Sequence, residues 1–506
     1  MKAMGSARLV VLSILGATAG ATSTGCSLLY NVSNLPDPRV DAGGIPPPPD
    51  AILDPDALML TAASPTLLYE GQGSGGSRAA ILVINGSNIA PDAQVSLAAT
   101  DPAAAAPMVT IDNAHAMHTA DNTMIAVPVT LLVDPTNTPG GKAVDLPLTI
   151  QITQSGSTGM VTSPALTGQV SLHCLPELTA PLAAGVAPEP LYSQIAPIPA
   201  NLSFAALAGA AIELRSVSSI DVGNVVSNTA GATPGPGGGA GGGPGLAGTG
   251  PGGGQPGALL GLLTGGGGAG FFAGGGAGGG GTLGGAMSGD PLIVSYATTY
   301  ASGGGGGGSA ITGGGGGGTV ELTAGGTLTV GTVTVDGGNG ANGSTLIGGG
   351  GGGAGGVVVI RAGAGATLGA ISAKGGTGGT SGLGGAGGIG SIGRVRVDAP
   401  SIAGTQPGFS SSVRRGVAFA TAAPLVTHDP HVLINVVSAF AADQFQVVVR
   451  DAANTTIQTS SLLFATPTAA ITPSLSPGFN RVCVLPPGGT LTNEESTNCL
   501  DLVYVP

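Results

Sequence analysis

GTVELTAGGTLTVGTVTVDGG, residues 318–338, and VVVIRAGAGATLGAISAKGG, residues 357–376, decide the architecture of this chain. Aligned, they set Glu321 over Val359, and both hold short runs with aliphatic residues at every second position. AAIELRSVSSIDVGNVVS, residues 210–227, follows the same pattern, and GRVRVDAPSIAG, residues 393–404, is a shorter fourth copy. Period-two alternation suits a strand with one buried face. A unit that returns every few dozen residues cannot bury its apolar edge alone, so neighbours must stack. The pattern predicts a parallel β-solenoid over 201–410, with Val, Leu and Ile of one coil resting on those of the next.

Glycine fills the space between the copies. Of 97 glycines, 72 fall between Gly231 and Pro400, including six-residue runs at 303–308, 313–318 and 348–353. The insert 231–317 carries a single charged residue, Asp290. Two accounts compete for it. Fixing each residue costs about 1–2 kcal/mol, and glycine offers no side chain in return, which favours disorder. Polyglycine also forms left-handed extended helices that pack side by side through backbone hydrogen bonds, which favours ordered loops projecting from the coils. The apolar pairs Leu259-Leu260, Leu262-Leu263 and Phe271-Phe272 are read as plugs for a core rather than as exposed contact points.

The composition narrows the class. In 506 residues only 8% are charged, against about 25% in an ordinary domain. A net charge of −12, from 14 Lys+Arg and 26 Asp+Glu, repels phosphate and argues against nucleic acid. There is no strict Gly-X-Y period, which excludes collagen.

On either side of the repeats the composition is ordinary. Residues 59–175 hold short apolar runs such as ILVI (81–84), VSL (95–97), MIAVPV (124–129) and LTIQI (148–152), bounded by Asn, Gly, Pro and Asp; Asn85-Gly86-Ser87-Asn88 reads as a turn. This is a β-sandwich of about seven strands. Ser64-Pro65, Glu70-Gly71, ILVINGSNIAPDAQVSL (81–97) and the later IAVPV resemble the IPT/TIG family of immunoglobulin-like domains over about 115 residues. The resemblance implies an Ig-like fold used for binding or spacing. Residues 176–200 read as a Pro/Ala linker. Residues 415–506 read as a small second β-sandwich capping the last coil, and Cys483 and Cys499, 16 positions apart around a Pro-Gly-Gly turn, are expected to form a disulfide. Cys174 reads as a buried thiol.

The N-terminus sets the compartment. Lys2 and Arg8 frame a short apolar run, and small residues lead to Ser23-Thr24-Gly25-Cys26, the layout of a secretory signal over 1–26. Gly25-Cys26 resembles the cleavage site of bacterial lipoproteins, with Ser23 where that family carries Leu. The resemblance implies lipidation of Cys26 and, because Ser27 follows, sorting to the outer membrane of a Gram-negative cell. Cleavage after Ala21 would instead give a secreted protein. The Pro-rich tether 27–58 would hold the rest away from the lipid. The repeats likewise resemble glycine-rich regions of bacterial adhesin-type surface proteins.

Sites for chemistry are sparse. The glycine-rich matches to G-x-G-x-x-G open no helix, and Gly141-Lys142 is followed by Ala143, not Ser or Thr. His115 with His118 and His428 with His431 lack a full ligand set, and 337–345 half-matches a calcium nonapeptide with Asn342 where Asp belongs. No cofactor and no metal is expected. Among eleven charged residues in 201–410, Glu213 and Glu321 occupy matching positions and are read as solvent-facing. Two carboxylates gathered with an arginine on one solenoid face would favour a carbohydrate-active or carbohydrate-binding β-helix; a flat uncharged face would favour adhesion. The expectation is a non-enzymatic, membrane-anchored surface protein, adhesive or structural, whose partner is a cell-surface protein or polysaccharide.

Overall fold

The computed structural model describes residues 57–506 apart from 72–79, 105–106, 108, 133–141, 205–206, 208–210, 228–230, 259–263, 289–302, 304–305, 307–310, 405–412, 416–417, 421–425, 438–443, 464–465, 467 and 486–498. Cys26, nearly all of the tether, the leucine pairs in 259–263 and the turn between Cys483 and Cys499 lie outside the described residues. The described chain is all-β, with one 3-10 turn at Asn113–His115.

Strands are numbered in chain order. The first ten make two sheets around one core. β1 (Met59–Ser64), β3 (Ala80–Ser87), β7 (Met124–Leu131) and β5 (Val109–Ile111) form one, with β6 (Met117–His118) also on β7. β2 (Leu67–Tyr69), β10 (Leu166–Cys174), β8 (Val144–Gly156) and β4 (Gln94–Ala99) form the other, with β9 (Gly159–Thr162) on β8. Leu82, Ile84, Ile125, Val127, Ile150 and Leu172 meet between them, and Cys174 joins the same core. Glu70, directly after β2, ties that edge strand to the end of β10: it is fully buried, and its Oε2 accepts the Leu175 N–H at 3.0 Å. Asn85-Gly86-Ser87 does not turn the chain. These residues finish β3, and the left-handed residue is Asn88, at φ 57°. Gly86 is required there by space, because a Cβ would stand 2.1 Å from the Met59 carbonyl oxygen.

The repeats build two parallel five-stranded sheets. β11 (Ile195–Ser203), β13 (Ile220–Val226), β15 (Thr327–Thr334), β17 (Gly365–Ser372) and β19 (Ile402–Gly404) form one. β12 (Ile212–Ser216), β14 (Thr319–Ala324), β16 (Val357–Ala362), β18 (Arg394–Asp398) and β20 (Val413–Arg415) form the other. Consecutive strands alternate between the sheets, so equivalent positions stack in register: Leu214 on Leu322, Leu322 on Ile360, Ile360 on Val397. The facing sheet contributes Val222, Val330 and Leu368 in the same way, and one core holds both sets. Each such aliphatic side chain contributes about 1.5–3 kcal/mol when fully buried.

The boundaries differ from those expected. The stretch 176–200 is no linker: Leu178, Tyr192, Ile195 and Ile198 are buried in the repeat core, and β11 starts at Ile195. At the other end β20 pairs with β18, so the stack runs past 410 to Arg415.

The last module has two sheets. β21 (Ala418–Phe419), β23 (Ile434–Val437) and β26 (Thr468–Ile471) make the smaller one. β22 (Val426–Thr427), β28 (Cys499–Tyr504), β27 (Gly478–Leu485), β24 (Gln444–Asp451) and β25 (Thr456–Leu463) make the larger. Cys483 and Cys499 are register partners on β27 and β28 and are joined by a disulfide. The described residues of this module pack Val503, Val505 and Phe479 onto Ile81, Val83, Met124 and Ala126 of the first one.

From one parallel strand to the next the chain makes long glycine excursions, 335–356 between β15 and β16 and 373–393 between β17 and β18. Their hydrogen bonds recur every third residue, the period of a polyproline II-type helix. The N–H groups of Gly349, Gly352 and Gly355 donate to the carbonyls of Gly385, Gly388 and Ser391. Those of Gly350, Gly353 and Gly356 donate to Ala341, Gly338 and Val335. The carbonyls of the same run accept from Gly266, Ala269, Gly314, Gly317, Gly376 and Gly379. One glycine helix is thus bonded to five neighbouring segments, and its residues are buried. The described parts of the insert 231–317 belong to this bundle and are ordered within it.

The absence of Cβ atoms makes the packing possible. A Cβ on Gly349, Gly350, Gly351 or Gly353 would fall 2.0 Å from the carbonyl oxygen of Gly379, Thr312, Gly267 or Gly315 respectively. None of these glycines has a positive φ, so space and not backbone freedom dictates the residue. Where a helix lies at the surface, every third residue carries a side chain: Lys374, Thr377 and Thr380 are exposed, while Gly376 and Gly379 between them are buried. Asp336, Asn339 and Asn342 form the adjoining row, and their Oδ1 atoms accept the backbone N–H groups of Lys374, Thr377 and Thr380 at 2.7, 2.9 and 2.9 Å. Gly351→Ala is expected to lower unfolding free energy by about 1–3 kcal/mol, the scale of overpacking. Thr377→Ala, on the exposed row, should stay within about 0.5 kcal/mol of the parent; urea denaturation of both variants measures the contrast.

Candidate functional site

Two places concentrate residues that the fold alone does not require. The first is the end of the glycine bundle remote from the two sheets. The excursion leaving β15 reverses at Ser344–Ile347 and that leaving β17 at Ser381–Gly384; the backbones of the two reversals touch, Leu383 N–H donating to the Thr345 carbonyl at 2.8 Å. In the insert, the chain reverses on the same side at Gly243–Leu246 and at Gly278–Thr282. Each reversal presents a leucine to solvent: Leu246, Leu283, Leu346 and Leu383 are exposed by between 52% and 75%. No Asp, Glu, Lys or Arg stands in any of these four turns. The opposite end behaves differently. There Phe271 is buried against Val357 and Val359 of β16, where a reversal meets the sheet. One apolar turn plugs a core, as expected for the phenylalanine pair; the others point away from the protein.

The second place is the outer face of the β12-β14-β16-β18-β20 sheet. Register stacks Glu213 on Glu321, then Val359 and Arg396; the next row runs Arg215, Thr323, Arg361, Asp398. The insert covers this face. Phe271 and Phe272 stand against the Arg394 guanidinium, with ring centres 5.5 and 5.0 Å from its Cζ. Beneath them Arg361 Nη1 donates to Glu321 Oε1 at 2.6 Å, Thr323 Oγ1 donates to the same oxygen at 3.0 Å, and Arg396 Nε donates to Asp398 Oδ1 at 2.8 Å. Glu321 is therefore not solvent-facing, being only 2% exposed. The repeat places it correctly, and burial comes from a segment about fifty residues earlier in sequence that folds back over it.

Two effects oppose each other at Glu321. Burial pushes its carboxyl above the ordinary range, and Arg361 and Thr323 pull it down. Burial is the larger, and Oε2 has no hydrogen-bond partner among the described residues. A cluster of two carboxylates with two arginines is what acid–base catalysis on a sugar would need. With Asp398 fully buried and Glu321 almost so, no substrate reaches it in this arrangement.

The other residues singled out in the sequence have local roles. His115 Nδ1 lies 2.7 Å from Asp112, and His428 Nδ1 lies 2.7 Å from the Val505 carbonyl. Asn342, at the Asp position of the half-matched calcium motif, accepts from Thr380. The Cys483–Cys499 bond closes one side of the last module, and Cys26 is outside the described residues. Leu246, Leu283, Leu346 and Leu383 were missed as a set. Their signal was present: Leu346 and Leu383 stand one repeat apart, each in a short break between two glycine runs.

Compared with protein-family models, with curated proteins and with solved structures, the chain matches none.

The raised carboxyl of Glu321 carries a pH signature. A group held above its unfolded value adds stability that is complete below that value and is lost as pH rises through the folded one. The melting temperature of the parent minus that of Glu321→Gln should accordingly fall as pH rises above the ordinary glutamate value of 4.5, and thermal melts over a pH series would show it.

Proposed function

We propose that this chain is a non-enzymatic surface protein, anchored by lipid at Cys26, that uses the leucine-bearing end of its glycine bundle for adhesion. In this reading the parallel sheets are a β-solenoid acting as a rigid stem, and the first and last modules are Ig-like and smaller β-sandwiches that space the stem from the membrane. One observation carries the proposal: four separate reversals, distributed over the insert and two repeats, each expose a leucine at the same end of a bundle that has almost no charge. Isolated exposed leucines are ordinary, whereas a shared apolar end marks a contact surface. Burying each leucine on a partner contributes up to about 1.5–3 kcal/mol, so the four together supply a term of the same order as the cost of association.

A second reading, a carbohydrate-active protein, is favoured by the Glu321–Arg361–Asp398–Arg396 cluster and opposed by its burial beneath Phe271 and Phe272.

Two measurements test the main reading. Changing Leu246, Leu283, Leu346 and Leu383 together to Ser should leave the melting temperature within a few degrees of the parent. It should lower attachment of producing cells to one another or to an apolar surface at least tenfold (roughly one leucine's burial energy). Undiminished attachment rejects the role of this end. Metabolic labelling with a fatty-acid analogue should mark the parent and not Cys26→Ala; equal labelling of both, or of neither, removes the anchor.

A further inference from the structure

The first and last modules enclose a cleft of about 110 Å³, far from the glycine bundle's leucines in the chain. Thr66 lines it from just before β2, Tyr69 from β2, Phe479 and Arg481 from β27, Asp501 from β28, and Asn454 from the β24–β25 turn. We infer that this cleft binds a single neutral sugar ring, as the terminal unit of a glycan.

The polar groups are fixed before any ligand arrives. Arg481 Nε and Nη2 donate to Asp501 Oδ1 and Oδ2 at 2.7 and 2.9 Å, a two-point pairing between adjacent strands. Both side chains remain partly open, at 21% and 33%. The pair presents guanidinium donors and carboxylate lone pairs in one plane, with no net charge, as the edge of a polyhydroxylated ring requires. Beside it are two aromatic rings suited to the C–H face of such a ring. Tyr69 is held edge-on by His173, with centroids 5.6 Å apart and planes at 77°, and His173 is itself fixed by Asp145 at 2.5 Å. Phe479 lies on the same face of β27 as Arg481.

The same features exclude other small ligands. Arg481 is already neutralised, and Asp451 adds a further negative charge at the rim, so a phosphate or carboxylate finds no free cation. An organic cation would seek the Phe479 face, but the Arg481 guanidinium stands 6.0 Å from that ring's centre. Drug-sized apolar molecules need about 300 Å³ or more. The cleft forms only where the two modules dock through Ile81, Val83, Phe479 and Val503, which explains why neither stretch of sequence displays it alone.

The inference is independent of the adhesive role of the leucines. Its test is saturation-transfer NMR on the full chain with methyl α-D-glucopyranoside, methyl α-D-galactopyranoside and N-acetylglucosamine as probes. At least one should bind saturably, with a dissociation constant of about 1 mM, as expected for a dozen-atom ligand in a small cleft. Asp501→Asn and Phe479→Leu should each weaken that binding at least tenfold in protein that still melts cooperatively well above the assay temperature, while Leu383→Ser leaves it unchanged. Saturable binding by none of the three, equal binding to both variants, or displacement by choline or inorganic phosphate overturns the assignment. Loss of attachment in the leucine variant with sugar binding intact separates this site from the adhesive one.

Discussion

Backbone hydrogen bonding between chains that carry no Cβ is the interaction on which the rest of this structure depends. Glycine sacrifices conformational entropy and contributes no side-chain burial, so a glycine-rich segment normally has little reason to order. Here the segments approach so closely that Gly349, Gly350, Gly352 and Gly353 reach carbonyls and N–H groups on different neighbours. An unpaired buried backbone group costs about as much as a lost hydrogen bond, and the bundle pairs such groups between neighbouring segments. Any larger residue in the central run would collide with backbone, which cannot move aside as a flexible side chain can.

The bundle and the parallel sheets are two uses of one repeat. A strand from each repeat enters each parallel sheet, and the glycine excursion is the crossover that brings the chain back parallel, a connection that in α/β proteins is made by a helix. The step between coils is therefore the step between glycine helices, and Thr377 stacks beside Asn339 as Ile360 stacks on Leu322. The long insert between β13 and β14 does not break the register: Glu213 still pairs with Glu321. Instead it supplies more glycine helices and folds Phe271 onto β16, burying charges that would otherwise face water. Those charges survive burial because each is paired. Arg361 and Arg396 hold Glu321 and Asp398, and breaking one partner of such a pair leaves an uncompensated charge.

The placing of side chains follows the same lines. Side chains appear where the bundle meets solvent, at every third residue on its flanks and at the reversals of its far end. The flanks carry Asn and Thr, whose polar atoms are partly occupied in tying neighbouring helices together. The reversals carry leucines that are more than half exposed. At the other extreme of the architecture, the docking of the last module on β3 and β7 brings an arginine–aspartate pair and two aromatic rings from distant stretches into one small cleft.

The aliphatic rungs of β14, β16 and β18 were legible in the sequence, because alternation at period two has one meaning for a strand with a buried face. The pairing of Cys483 with Cys499 was equally open to reading. The period of three in Asp336, Asn339 and Asn342 and in Lys374, Thr377 and Thr380 was also written there, although the glycine density around it hides it from a search for periods of 2 or 3.6. By itself, then, the sequence determined which segments can be strands and which can lie against one another without side chains. Tertiary structure alone decided that Glu321 is buried, that 176–200 belongs to the core, that the last module sits on the first, and that four leucines share one end. Each of these depends on contacts between residues tens or hundreds of positions apart, and local pattern fixes what a segment can pack, not what it packs against.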